Sequence, residues 1–327
     1  MPELTSSFRP AWWLPGPHLP TIWGKFGRRR APVHDRTERW TTPDDDHLTL
    51  LRLGRITSGV PHLLILHGLE AKPTAKYAHG LLATTRRLGW SGDLLLFRTC
   101  DGEVNRARRF YHSGETTDCD FVIRRLLAQH ADLHLVVVGV SLGGNVLLKW
   151  LGECGRQVPA QVRRAAAVSV PFDLAAGSRF MEYGFSRVYV RHFLRSLRAK
   201  TLAKLERYPD LCSRERLLAA RTFWEFDDAV TGPVHGFRDA REYYERSSCI
   251  SFLQRVAVPT LLLGARNDPF VPAAVLSRVR QIVQANPHLH LEVTEGGGHV
   301  GWVAGEPSRP RYYMEERVVG WLGMKEQ

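Results

Sequence analysis

A chain of 327 residues, 44% hydrophobic and 24% charged, can bury a large core, and open α/β sheets hold this length in one unit. No apolar run reaches the roughly 18 residues of a membrane-spanning helix, and neither a signal peptide nor a paired-cysteine pattern is visible among Cys100, Cys119, Cys154, Cys212 and Cys249, so a cytoplasmic protein with reduced thiols is expected. The net charge of +12 attracts anions and allows peripheral contact with an anionic membrane, but no zinc-finger spacing or RNP-like aromatic pattern accompanies it, so no nucleic-acid partner is expected.

In chain order, residues 1–35 come first. Pro10, Pro15, Pro17 and Pro20 interrupt any helix there, which predicts an extended strap whose Trp12, Trp13 and Trp23 dock on the core. "TERWTTPDDDHLTLLRLGR" then reads as an antiparallel hairpin turning at "PDDD". Asp44, Asp45, Asp46 and His47 fit this charged turn better than a metal cluster. Next, "HLLILHG" at 62–68, "DLLLF" at 93–97, "LHLVVVG" at 133–139, "RRAAAVSV" at 163–170, "VPTLLLG" at 258–264 and "HLHLEVTEG" at 288–296 alternate with helical stretches. Short, uniformly apolar strands between helices predict a mostly parallel central sheet covered on both faces. The core is expected over 36–173 and 251–327.

Residues 174–250 interrupt that alternation. They are too long for one crossover and helical in pattern, so they are read as a cap insertion. Arg187, Arg191, Arg195 and Arg198 share one helical face there, with Val188, Phe193, Leu194 and Leu197 in reach of the other. Phe185, Tyr189, Phe193, Phe223 and Trp224 suggest an apolar acyl pocket. Glu225, Asp227 and Asp228 are read as helix caps or partners of the arginines.

The chemistry is concentrated in "GVSLGG", which joins an apolar strand to a helix. A sharp turn needs glycine at 139 and 143, and it lifts Ser141 over the carboxyl edge of the sheet. There the Leu142 N–H can face a developing oxyanion. A serine hydroxyl needs a base, and the base needs an orienting carboxylate. On this kind of sheet they follow in the order Ser, Asp, His, on loops after later strands. Asp268 in "RNDPF" and His299 in "GGGHVGW" stand in those places. Asn267 has no charge to offer, and Glu292 and Glu295 precede His299 too closely. The Leu69 N–H, in "LHGLE", is the candidate second oxyanion donor, and His67 is expected to structure that loop. His288 and His290 lack a third ligand, and no dinucleotide fingerprint or P-loop occurs, so neither metal nor cofactor is expected.

"WWLPGPHLPTIW", "LHGLE", "RFYHSGETTD", "GVSLGGN", "FDDAVTGPVHGF", "YYERSS", "NDPFVP" and "GGGHVGW" together make the chain resemble the YheT-like branch of the α/β-hydrolases. The resemblance implies an α/β-hydrolase fold with a helical cap and a triad of Ser141, Asp268 and His299. It further implies a serine hydrolase acting on carboxylic esters of short or medium acyl chain through an acyl-enzyme. The same residues would serve an acyltransferase, and a non-catalytic binding protein could keep the fold. Two departures stand out. Glu70 and Ala71 follow where relatives carry a glycine, and "RTCDG" at 98–102 replaces an arginine–glycine–cysteine–serine–glycine stretch.

Overall fold

The computed structural model describes residues 3–29 and 32–324. Positions 1, 2, 30 and 31 of the expected strap and 325–327 of the expected core lie outside the described residues. Among the described residues, eight strands form one sheet: β1 (Arg36–Thr41), β2 (His47–Leu53), β3 (Pro61–Leu66), β4 (Ser91–Leu96), β5 (His134–Val140), β6 (Val162–Val168), β7 (Thr260–Ala265) and β8 (Leu289–Thr294). Their order is β1-β2-β4-β3-β5-β6-β7-β8. β2 runs antiparallel to both β1 and β4, and the remaining pairs are parallel. A second hairpin, β9 (Val303–Glu306) with β10 (Arg309–Tyr312), was not expected from the sequence.

The sheet is buried on both faces because its apolar side chains alternate between them. Along β3 and β5, Leu64, Leu66, Leu135 and Val137 join one core cluster, while Leu63, Ile65, Val136 and Val138 join the other. Before and along the core lie α1 (His18–Lys25), α2 (Lys76–Arg87), α3 (Thr117–Gln129) and α4 (Leu142–Cys154). Between β6 and β7 come α5 (Leu174–Phe180), α6 (Ser186–Arg207), α7 (Arg214–Ala219), α8 (Phe223–Phe226), α9 (Gly232–Val234) and α10 (Ala240–Ser247), and α11 (Ala273–Ala285) and α12 (Tyr313–Leu322) follow. Ala78, Leu81 and Leu82 of α2 pack with Val318 and Val319 of α12 on one face. Val146, Leu147 and Leu151 of α4 belong to the other.

The N-terminal segment departs from the expected strap, because it contains α1. Pro20 is the third residue of that helix, where the backbone N–H has no intrahelical partner to lose, so the proline is tolerated. Trp12 also departs from expectation, being 73% exposed with its indole N–H donated to Glu306. Trp13 and Trp23 meet edge to face, 4.7 Å between ring centroids.

Arg98, at the end of β4, fixes the "PDDD" turn. Its buried guanidinium donates to Asp44 (3.0 Å), Asp46 (2.8 Å) and both oxygens of Asp118 (2.7 and 2.8 Å). Burial pushes the Asp46 carboxyl up, but hydrogen bonds from Asn105 and from the backbone of Ala107, Arg106 and His47 outweigh it and hold it at about 2. The acidic turn is therefore an anchor between the hairpin and the core.

Candidate active site

Ser141 sits between β5 and α4 with φ 54° and ψ −119°, a backbone region that non-glycine residues rarely enter. Close packing holds it there. A Cβ on Gly139 would lie 2.3 Å from Gly143 O, and one on Gly143 would lie 2.3 Å from Leu66 O. Neither gap admits a methyl group, so the two glycines let α4 start against the tips of β3 and β5. The Ser141 N–H donates to Val168 O (2.8 Å), and its carbonyl accepts from Gly144 and Asn145.

His299 Nε2 lies 2.9 Å from Ser141 Oγ, and its Nδ1 lies 3.0 and 3.1 Å from the two carboxyl oxygens of Asp268. With the proton on Nδ1 the ring donates to the carboxylate and accepts from the serine hydroxyl, so all three groups are satisfied at once. Asp268 Oδ1 also accepts from the Phe270 N–H (2.8 Å), and the Phe270 ring stacks on the imidazole at 4.0 Å. Ser141, Asp268 and His299 are thus brought together from three distant parts of the chain.

The loop carrying His299 is held from three sides that sequence reasoning missed. The His299 N–H donates to Thr21 Oγ1 (2.8 Å), and that hydroxyl donates to Pro17 O (2.7 Å) within α1 and its approach. The Gly298 N–H donates to Asn267 Oδ1 (3.0 Å), and the Val300 N–H donates to Ser169 Oγ (3.1 Å). Gly298 has φ +59°, and a Cβ there would lie 2.4 Å from Pro17 O. Asn267 is therefore no rival of Asp268 but orients the loop opposite it. Its position beside Asp268 was a usable signal; Thr21 offered none.

Leu69 lies between two anchored residues. The Gly68 N–H donates to Tyr77 Oη (2.7 Å) and the Glu70 N–H to Tyr111 Oη (2.8 Å). Among the described residues, the N–H groups of Leu69 and Leu142 are engaged by no protein acceptor, and both residues line the cavity that contains Ser141. A Cβ on Gly68 would stand 3.2 Å from Ser141 Cβ, which shows how closely this loop approaches the serine. His67 is fully buried between Gly68 O, which it faces through Nδ1 (2.7 Å), and the Phe97 N–H, which donates to Nε2 (3.0 Å). Burial pushes this imidazole down to about 4 and keeps it neutral.

Glu70, at φ 53° where relatives were expected to carry glycine, joins this loop to α6. Its carboxylate accepts from Tyr111 Oη (2.8 Å), Lys200 Nζ (2.7 Å) and Ser196 Oγ, the last two on α6. The cavity over Ser141 encloses about 1090 Å³ of atom-free space, its open mouth included. Phe193 and Phe223 line it as expected, whereas Phe185, Tyr189 and Trp224 do not. Phe185 is 46% exposed, and Trp224 packs on Tyr244 outside the lining. Val188, expected on the buried side of α6, is 48% exposed, because the buried stripe of this helix runs through Ser186, Val190 and Leu194 and Val188 falls outside it. Glu225 forms a capping box with Thr222, and Asp228 pairs with Arg216 (2.5 Å). Asp227 does neither; it faces the cavity.

A mostly parallel eight-stranded sheet, a strained serine at a strand-to-helix turn and an imidazole bridging it to a carboxylate define the architecture of an α/β-hydrolase. The chain belongs to this family: the model described as "alpha/beta hydrolase fold" matches residues 61–303. Within it the chain is similar to YheT of Escherichia coli (strain K12), which bears an esterase name, at 38% identity over 93% of this chain and 89% of that protein. The phospholipase ABHD3 of Mus musculus is 25% identical over 96% of this chain and 77% of its own. The Pyrococcus furiosus esterase Pf2001 superposes with a TM-score of 0.57 over 95% of this chain and 97% of its own, at 16% identity, and so shares the fold.

Proposed function

We propose that the protein hydrolyses carboxylic esters through Ser141, His299 and Asp268, with the helical segment 174–250 as its lid. The hydrogen-bonded sequence from Ser141 Oγ through His299 to Asp268 carries this reading. His299 Nε2 takes the serine proton as Oγ attacks the ester carbonyl. Asp268 holds the ring's tautomer and steadies the imidazolium. The N–H groups of Leu69 and Leu142 receive the oxyanion, and the imidazolium returns its proton to the leaving alcohol. Water, deprotonated by the same imidazole, then releases the acid. The esterase and lipase names of the relatives support an ester substrate. Phe193, Leu197 and Phe223 in the cavity lining support an apolar acyl chain, which we take to be short or medium in length.

Fluorophosphonate labelling of wild type and Ser141→Ala, with mass spectrometry of the labelled peptide, tests the nucleophile without a substrate. Label on Ser141, lost in the variant, is expected. Folded wild type that takes no label would overturn the triad. An activity profile rising steadily to long acyl chains would overturn the preferred chain length.

Contact with an anionic lipid surface is a second reading, favoured by one place on the cap. Exposed Phe185 and Val188 stand beside exposed Arg187, Arg191 and Arg195 at the start of α6. Among the described residues no helix is long and apolar enough to cross a membrane, so the contact is peripheral. Sedimentation with anionic vesicles, lost on Arg191→Glu with Arg195→Glu and absent with neutral vesicles, is the expected result. Equal binding to both vesicle types removes this reading.

A further inference from the structure

The cavity over Ser141 is not lined by hydrocarbon alone. Phe193, Leu197, Phe223 and Phe270 make its apolar part, and α5, the turn after α8 and α10 contribute a polar part. Asp227 opens that turn, which is π-helical over Asp227–Thr231. Such wide turns cluster at functional sites because they re-aim a side chain within a helix. Asp227 Oδ1 accepts from Thr231 Oγ1 (2.5 Å) and Oδ2 accepts from Tyr244 Oη (2.7 Å), while Tyr244 Oη also lies 3.3 Å from Ser178 Oγ. All four residues line the cavity.

Three features set this carboxyl apart from the other acids of the cap. It is half-buried and stands in the lining of the cavity. Its named partners are two hydroxyls and no cation, and burial pushes it up to about 6. A carboxylate offers about four lone-pair directions, so two hydroxyls leave it unfilled. A wholly apolar chain entering the cavity would strip water from Asp227 and put nothing in its place, which is the costly case for a buried polar group. A neutral donor on the chain would restore the bond. A cationic donor is disfavoured by the net charge of +12 and by Lys200 in the lining of the same cavity.

We infer that Asp227, set by Thr231 and Tyr244, selects esters that carry a hydroxyl group on the chain filling the cavity. This rests on the ester-hydrolase reading above and specifies its substrate class. Asp227 acts on specificity and takes no part in the proton transfers of the triad.

The test uses p-nitrophenyl octanoate and a series bearing one hydroxyl at successive carbons. At one position wild type should exceed the plain ester in kcat/KM by about tenfold or more, since a site built around a hydrogen bond discriminates strongly against a partner lacking it. Asp227→Asn, nearly the same shape, should reduce that ratio by about tenfold. Asp227→Glu, which lengthens the acid by one methylene, should move the preferred hydroxyl to a neighbouring carbon. A ratio near unity at every position overturns the inference. So does an equal fall of both esters in Asp227→Asn, which would mark a purely structural role. Calorimetric binding of octanamide and its hydroxylated counterparts to Ser141→Ala protein separates this from the triad. Discrimination in binding without any turnover by wild type would sink the ester-hydrolase reading alone. Turnover without discrimination would sink the role of Asp227 alone.

Discussion

At Ser141 the backbone stores strain of about 1–3 kcal/mol, which the surrounding packing must over-determine. Gly139→Ala puts a methyl 2.3 Å from Gly143 O, a backbone atom that cannot swing aside. It should destabilise by about 3 kcal/mol and abolish fluorophosphonate labelling. Gly264→Ala, whose new Cβ would meet Leu276 at 3.8 Å, should be close to neutral. Urea unfolding of both variants checks the contrast. Asp227 gives a pH-dependent case. Its folded carboxyl titrates near 6 and its unfolded one at the ordinary 3.8, so the folded state holds the proton more tightly. Stability therefore falls as pH rises from about 4 to about 6, and the penalty is complete above that window. Asp227→Asn lacks it. The variant should gain on wild type by up to about 3 kcal/mol between pH 4 and pH 7.5. Denaturation at the two pH values measures the difference, and an unchanged gap would contradict the shift.

Among the elements, α1 was the least legible. Its prolines hid an eight-residue helix because one of them falls in the first turn, where a proline is harmless. The consequence reaches the site, since Thr21 of α1 accepts the His299 N–H across 278 positions of sequence. Thr21→Val removes that acceptor and keeps the side chain's shape. A lost hydrogen bond of about 1 kcal/mol at a group that must hold the imidazole in line should lower kcat roughly tenfold with an unchanged circular dichroism spectrum. Full activity in the variant would show that α1 merely covers the loop. The "PDDD" turn was legible as a turn but not as an anchor, because its partner Arg98 stands more than fifty residues on. Arg98→Met would leave Asp46 and Asp118 buried beside an apolar chain and should cost about 3–5 kcal/mol in urea unfolding.

For the whole molecule, buried imidazoles should weaken the fold in acid. Burial pushes His67 down to about 4 and His112 to about 3, both from an ordinary 6.5. The unfolded chain then binds protons that the folded one refuses, so stability is lost as pH falls through 6.5 toward 4. His67 ties its own loop to the Phe97 N–H just past β4 and His112 lines the cavity, so protonation of either acts next to the site. His67→Gln, which cannot gain that charge, should flatten the acid limb of a stability–pH curve measured by thermal melting. An acid limb as steep as that of wild type would assign the loss elsewhere. At the same scale, Glu70 with Lys200 and Ser196 joins the loop of Leu69 to α6, and Lys204 joins the same helix to the carbonyls of Ala107, Arg108 and Arg109, so the helical segment and the sheet are coupled at more than one place.

Sequence by itself determined the strands of the central sheet and the turn at Ser141. A strand buried on both faces must be apolar throughout, and a strand meeting a helix that closely must have glycine at 139 and 143. It also placed Asp268 and His299, since loops at the carboxyl ends of parallel strands converge on one edge. Tertiary structure alone decided that Thr21, Asn267 and Ser169 hold the His299 loop. It alone decided that Asp227, unlike its neighbours Glu225 and Asp228, turns into the cavity. The first set follows from local periodicity and backbone sterics, which the order of residues encodes directly. The second depends on which side of a helix or loop meets another segment, and packing across hundreds of residues settles that.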